Sequence, residues 1–121
     1  MIHVFLDDYR SCPKGFVLAR SAEECIMLID DGPIGILSLD YDLGWGRPTG
    51  FDVARHMVET GRYPREIYLH TSSESGRRQM YHLLAGHVPD TTRLHYGPMP
   101  PSLAAGLHGR DGNMTMESRD E

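Results

Sequence analysis

Three short strand-like runs in this chain each end on polar, mostly ionisable residues, and helical patterns separate them. Ile2–Leu6 stops at Asp7 and Asp8, Ile34–Leu39 stops at Asp40, and Glu66–His70 runs into Thr71. Short apolar runs bounded by polar or turn residues read as buried strands. Strands that alternate with helices imply a parallel sheet with right-handed crossovers. Binding sites in such sheets lie at the carboxyl ends of the strands. Three separate stretches of sequence therefore aim Asp7, Asp8, Asp40, His70 and Thr71 at one edge.

The connecting segments support this reading. Ser21-Ala22-Glu23-Glu24 has the spacing of a capping box, with Ser21 as N-cap and Glu24 at the third helical position. Cys25, Ile26, Leu28 and Ile29 give the following helix an apolar side, and Gly32-Pro33 ends it. Thr49 is placed to cap a second helix bearing Phe51, Val53, Ala54 and Met57, which ends near Gly61. A third helix is expected from about Gly76 to Ala85. Phe16–Ala19 and Thr92–Tyr96 are expected as further strands. Beyond Gly97 the prolines at 98, 100 and 101 and the glycines at 106, 109 and 112 oppose a long helix. The expected division is an α/β domain over 1–100 and a polar tail over 101–121, with about the last ten residues disordered.

Charge and composition narrow the partners. Of the 121 residues 40% are apolar, enough for one real core without staples. No stretch approaches the roughly 20 apolar residues of a membrane span. Met1–Leu6 runs straight into acids, so no signal peptide is expected. Cys12 and Cys25 form no framework and are expected as reduced thiols in a cytoplasmic protein. A net charge of −5 argues against a duplex-DNA surface. None of the seven histidines has a metal-binding helical spacing.

The acids that matter are Asp7, Asp8, Asp40 and Asp42. One aspartate after a strand reads as a turn residue. A pair after one strand and two more after another favour a metal pocket, because crowded carboxylates repel and a cation relieves them. Hard oxygen donors suit Mg²⁺ or Mn²⁺. Arg10 can clamp phosphate oxygens, or pair with a neighbouring acid on the surface. His70 titrates near neutrality and can act as a proton donor, or serve as a hydrogen-bonded core histidine. Thr71 and Ser72 precede a helix start and can cradle an anion or cap the helix. Arg77 and Arg78 read as solvated helix charges. Trp45, in the Gly-rich loop Asp42–Pro48, can stack on a base or cover the pocket.

The acid pair, the Asp ending the third strand and the hydroxyl ending the fourth resemble two-component receiver domains. That resemblance implies a flavodoxin-like sheet of five parallel strands in the order 2-1-3-4-5. It makes Asp7 and Asp8 the metal-binding pair, Asp40 a further metal ligand in the acceptor position, and Thr71 the phosphoryl contact. Receivers carry a lysine after strand five, where this chain reads Leu94-His95-Tyr96-Gly97-Pro98; its only lysine is Lys14. A closer resemblance is to the cyclic-phosphate processing receiver family. Leu6-Asp7-Asp8-Tyr9-Arg10 with Pro13, Leu39-Asp40-Tyr41-Asp42-Leu43-Gly44, Thr49-Gly50-Phe51-Asp52, and His70-Thr71-Ser72 with Gly76 carry it.

The closer resemblance implies metal-dependent processing of cyclic or terminal phosphates on nucleotides or RNA ends. Asp7, Asp8 and Asp40 would bind Mg²⁺ or Mn²⁺. Asp42 would activate water or add a ligand, Arg10 would hold phosphate, and His70 would protonate a leaving alkoxide. A stand-alone signalling receiver and a nucleotide-binding or docking protein without turnover are the alternatives. Asp7–Gly15 is too short for a loop plus helix, and no full helix follows the fifth strand. The first and last receiver helices are therefore expected to be reduced or missing. One sheet face, carrying His3, Phe5, Ile36, Ser38, Tyr68 and His70, would then be left for the tail, a ligand or a homodimer to cover.

Overall fold

Side chains alternate across a strand, and in this chain the alternation divides the core into two unequal layers. A computed structural model describes residues 1–106. The strands are β1 (Ile2–Leu6), β2 (Val17–Ala19), β3 (Ile34–Leu39), β4 (Glu66–Leu69) and β5 (Arg93–Leu94). All four pairings are parallel, and the order is β2-β1-β3-β4-β5. Val4, Leu6, Leu37, Leu39, Ile67 and Leu69 point to one side. There they bury against α1 (Ala22–Asp31), α2 (Gly50–Thr60) and α3 (Glu74–Ala85). Neighbouring helices pack on each other, α1 on α2 and α2 on α3.

The other face is thinner. Phe5, Tyr68 and Met99 are buried there, with Cys12, Phe16, Leu18, Ile36 and Leu103 against them. The β1–β2 connection is a loop without a helix, and the last helix is a single turn, α4 (Pro101–Ala104). Of the face expected to be left for the tail, a ligand or a homodimer, Phe5 and Tyr68 are thus covered by the chain itself, while His3 and Ile36 stay partly exposed. Phe16 comes from the loop, while Met99 and Leu103 come from the segment after β5. The expected tail therefore begins with a turn that contributes to packing. Residues 107–121, where disorder was expected, lie outside the described residues.

Local signals set the helix starts. Ser21 Oγ accepts from the Glu24 amide at 3.1 Å. The reciprocal half of the expected box goes elsewhere, because Glu24 accepts from the Arg20 amide, at 2.7 Å, instead of that of Ser21. At α2 the box is complete: Thr49 Oγ1 accepts from the Phe51 amide and Asp52 accepts from that of Thr49. The third helix starts earlier than expected, at Glu74, because Ser73 caps it by accepting from the Gly76 amide. The fifth strand is shorter than its expected span of 92–96, although the His95 amide still donates to the Ile67 carbonyl. Both cysteines are free, and burial pushes the Cys25 thiol up to about 12. Among the described residues no helix is long and apolar enough to cross a membrane.

Candidate functional site

Register brings the site together. Leu6 pairs with Leu39, and Leu39 pairs with Leu69, so three strands end level. The next residue of each strand is Asp7, Asp40 and His70, and one donor atom from each lies within 4.8 Å of the others. The ladder continues through these residues. The Asp40 amide donates to the Leu6 carbonyl at 3.1 Å and the His70 amide to that of Leu39 at 2.9 Å. The backbone thus holds the trio independently of its side chains.

Asp7 is 1% exposed and its carboxylate is fully occupied. Oδ1 accepts from the Tyr9 and Arg10 amides, both at 2.8 Å. Oδ2 accepts from Arg10 Nη1 at 2.9 Å and His70 Nε2 at 3.0 Å. Burial alone would raise its pKa. The two amides, Arg10 and His70 outweigh burial and hold Asp7 below the ordinary carboxylate range.

His70 is fixed at both ends. A carboxylate only accepts, so Nε2 carries the proton given to Asp7. Burial lowers the pKa of His70, although Asp7 pulls the other way, and the lowered value favours the neutral ring. Nδ1 is then the acceptor for the hydroxyl of the fully buried Ser38, 2.6 Å away. Phe5 stacks on the imidazole with ring centroids 4.5 Å apart.

Asp40 contrasts with Asp7. It is 6% exposed, and its pKa is pushed up to about 6. Burial is the main cause and the charge of Asp7 adds to it. The Tyr41 amide, the Thr71 hydroxyl and Arg10 pull it back only in part. The Arg10 guanidinium lies 3.8 Å from Asp40 Oδ2 and remains half exposed. Asp40 also explains the glycine of the Thr49-Gly50 motif. A Cβ at Gly50 would lie 2.0 Å from the Asp40 carbonyl oxygen, so only glycine lets α2 start against the end of β3.

Asp7 and Asp40, but not His70, open onto a cleft of about 660 Å³. Asp7, Asp40 and Arg10 line it together with Asp8, Asp42, Ser72, Arg47 and Trp45. Asp8, Asp42 and Ser72 are exposed, while Thr71 is buried and accepts from the Ser73 amide at 3.0 Å. The expected site residues therefore split in two. Asp7, Asp40, His70 and Arg10 form a bonded cluster, with Thr71 against Asp40. Asp8, Asp42 and Ser72 stand in solvent on the cleft walls.

Sequence reasoning placed Ser38 on this face but gave it no role in the site. The hydroxyl of a lone serine within a strand carries no signal of a partner 32 residues away. Reading Arg77 as a solvated charge is corrected. Its side chain is 18% exposed, Nη2 donates to the Thr71 carbonyl, and the guanidinium lies over Tyr96. Arg78 is exposed as expected.

The sequence model of the cyclic-phosphate processing receiver domain matches residues 2–86. That span holds β1 to β4, all three long helices and every residue of the cluster. The chain belongs to the cyclic-phosphate processing receiver family. No curated protein and no solved structure matches it. Family membership agrees with the 2-1-3-4-5 sheet and the strand-end acids. Among the described residues, this receiver domain carries Arg10 beside its acids, while its only lysine, Lys14, sits in the loop before β2.

Proposed function

We propose that this cleft binds the phosphate of a nucleotide or RNA end together with Mg²⁺ or Mn²⁺, and hydrolyses a cyclic phosphate ester there. The observation that carries this reading is one cleft shared by Asp40, the exposed Asp8 and Asp42, and the Arg10 guanidinium. Asp7 and Asp40 bring carboxylate oxygens within 4.8 Å of each other and Asp8 lines the same cleft, an oxygen-rich set that fits a hard divalent cation, with the His70 nitrogen beside it already engaged by Asp7. Asp40, Asp8 and Asp7 would hold the cation. Asp7 already accepts four hydrogen bonds, so it would contribute charge more than a free lone pair. When bound, the cation would supply positive charge opposite the phosphate oxygens.

The chain's own groups divide the remaining work. Arg10 is held by Asp7 on one side and open to the cleft on the other, which suits it to orient phosphate oxygens. The Ser72 hydroxyl is available to the same anion. Asp42 is exposed and can take the proton of an attacking water as the water oxygen bonds to phosphorus and one ring P–O bond breaks; that proton, or one from solvent water, then passes to the released alkoxide. His70 gives its proton to Asp7 and accepts from Ser38. In this reading it positions Asp7, and it acts as an acid only by releasing that contact.

A phosphoacceptor reading is favoured by one observation, the approach of Thr71 to Asp40. One experiment separates the two. Wild type and Asp40→Ala are incubated with 2′,3′-cyclic and 3′,5′-cyclic nucleotides and Mg²⁺ or Mn²⁺, and in parallel with a small phosphodonor. The expected result is metal-dependent ring opening that EDTA and Asp40→Ala both abolish. Equal activity of the two proteins would refute the mechanism. Stable labelling of Asp40 without turnover would establish the acceptor reading instead.

A further inference from the structure

Trp45 is the only tryptophan of the chain, and its side chain is completely exposed. A packed tryptophan buries about 150–250 Å², so leaving one wholly in water forgoes a large contact area. The loop around it is built to hold it there. Leu43 anchors one side in the core at 5% exposure. Asp42 Oδ1 accepts from the Gly44 amide at 3.1 Å, and the Gly44 carbonyl accepts from the Arg47 amide at 3.1 Å. Gly44 and Gly46 take φ of 115° and 75°, a backbone that L side chains rarely adopt, and they flank Trp45 on both sides. The tight turn thus sets the backbone of Trp45 at the edge of the cleft, whose lining includes Trp45.

A second exposed aromatic lines the same cleft from a different loop. Tyr9 is 88% exposed, while its amide is tied to Asp7 Oδ1 at 2.8 Å. Arg47 joins them on the wall. The cleft therefore combines the carboxylates and Arg10, which suit a cation and its phosphate, with flat exposed rings and a second guanidinium. A ligand that matches both parts carries a phosphate and a planar heteroaromatic ring, which describes a nucleoside phosphate better than a plain sugar phosphate.

We propose that Trp45 is a nucleobase platform, so that the cleft selects nucleoside phosphates over other phosphate esters. This rests on the phosphate reading above. Stacking of a base on an aromatic side chain typically changes affinity about 5- to 150-fold.

The test uses Trp45 as its own reporter, because all tryptophan emission comes from it. The full chain with Mg²⁺ is titrated with adenosine 3′-monophosphate, adenosine and ribose 5-phosphate, following emission and calorimetric heat. Adenosine 3′-monophosphate is expected to quench Trp45 saturably and to bind on the order of 10- to 100-fold tighter than ribose 5-phosphate. Trp45→Ala should remove that preference, and Trp45→Phe should restore most of it. Equal binding of the two phosphates by wild type would overturn the platform and leave the phosphate reading standing. Adenosine binding as tightly as its monophosphate would do the reverse. Binding of none of the three would overturn both.

Discussion

Replacing Asp40 by Asn should stabilise the metal-free protein at neutral pH, although it removes a residue at the centre of the site. The magnitude follows from the position of the carboxyl. Burial, with the charge of Asp7 added, raises its pKa from an ordinary 3.8 to about 6. An acid whose folded value lies above its unfolded value holds its proton more tightly when folded. Its contribution to stability is full below pH 3.8 and is lost as the pH rises through about 6. At pH 7 ionised Asp40 thus costs the fold about 3 kcal/mol, and at pH 5 about half of that.

Asn has the shape of the neutral carboxyl and carries no such cost. In EDTA at pH 7 the variant should be more stable by about 2–3 kcal/mol, or on the order of 10 °C in melting temperature for a chain of this length. The difference between the two proteins should shrink towards zero near pH 4. The partly buried His70 and His3 have lowered pKa values and weaken the fold as the pH falls. They do so in both proteins, so the difference isolates Asp40. Mg²⁺ should then raise the melting temperature of wild type by mass action and leave the variant unmoved. Urea or thermal unfolding across pH 4–8 provides the measurement. A variant less stable than wild type in EDTA at pH 7, or a pH-independent difference, would refute the account of Asp40.

Two further substitutions probe what holds the site. Ser38→Ala leaves His70 Nδ1 buried beside an apolar group and should cost about 1–3 kcal/mol in denaturant titration; a midpoint equal to wild type would show that the Ser38–His70–Asp7 chain bears no load. Gly50→Ala drives a Cβ into the Asp40 carbonyl oxygen and against Met80 Sδ at 3.0 Å. That carbonyl belongs to a strand end fixed by bonds on both sides, so the variant should lose at least about 2 kcal/mol, together with the Mg²⁺-induced shift in melting temperature; a variant that keeps both would contradict the close approach.

Much of this molecule could be read along the chain. Strand-like runs ending on Asp7, Asp40 and His70 specify a parallel sheet with its polar residues at one edge, because strand period and chain reversal are local properties. The caps at Ser21 and Thr49 are equally local, set by partners two or three residues on. The absence of a helix between Asp7 and Phe16 followed from the length of the connection alone. What the tertiary structure decided was which polar groups pair. Asp7 Oδ2 meets His70 across 63 residues, and His70 meets Ser38 across 32. Only the register that levels Leu6, Leu39 and Leu69 sets those distances. The same register makes chemically identical carboxylates unlike. Asp7 is saturated with donors and held ionised, while Asp40, one strand away, is short of them and holds its proton to about pH 6. Asp8 and Asp42 remain in water. The sequence supplied the acids; burial and the count of donors around each one, which are properties of the packed chain, separated their roles.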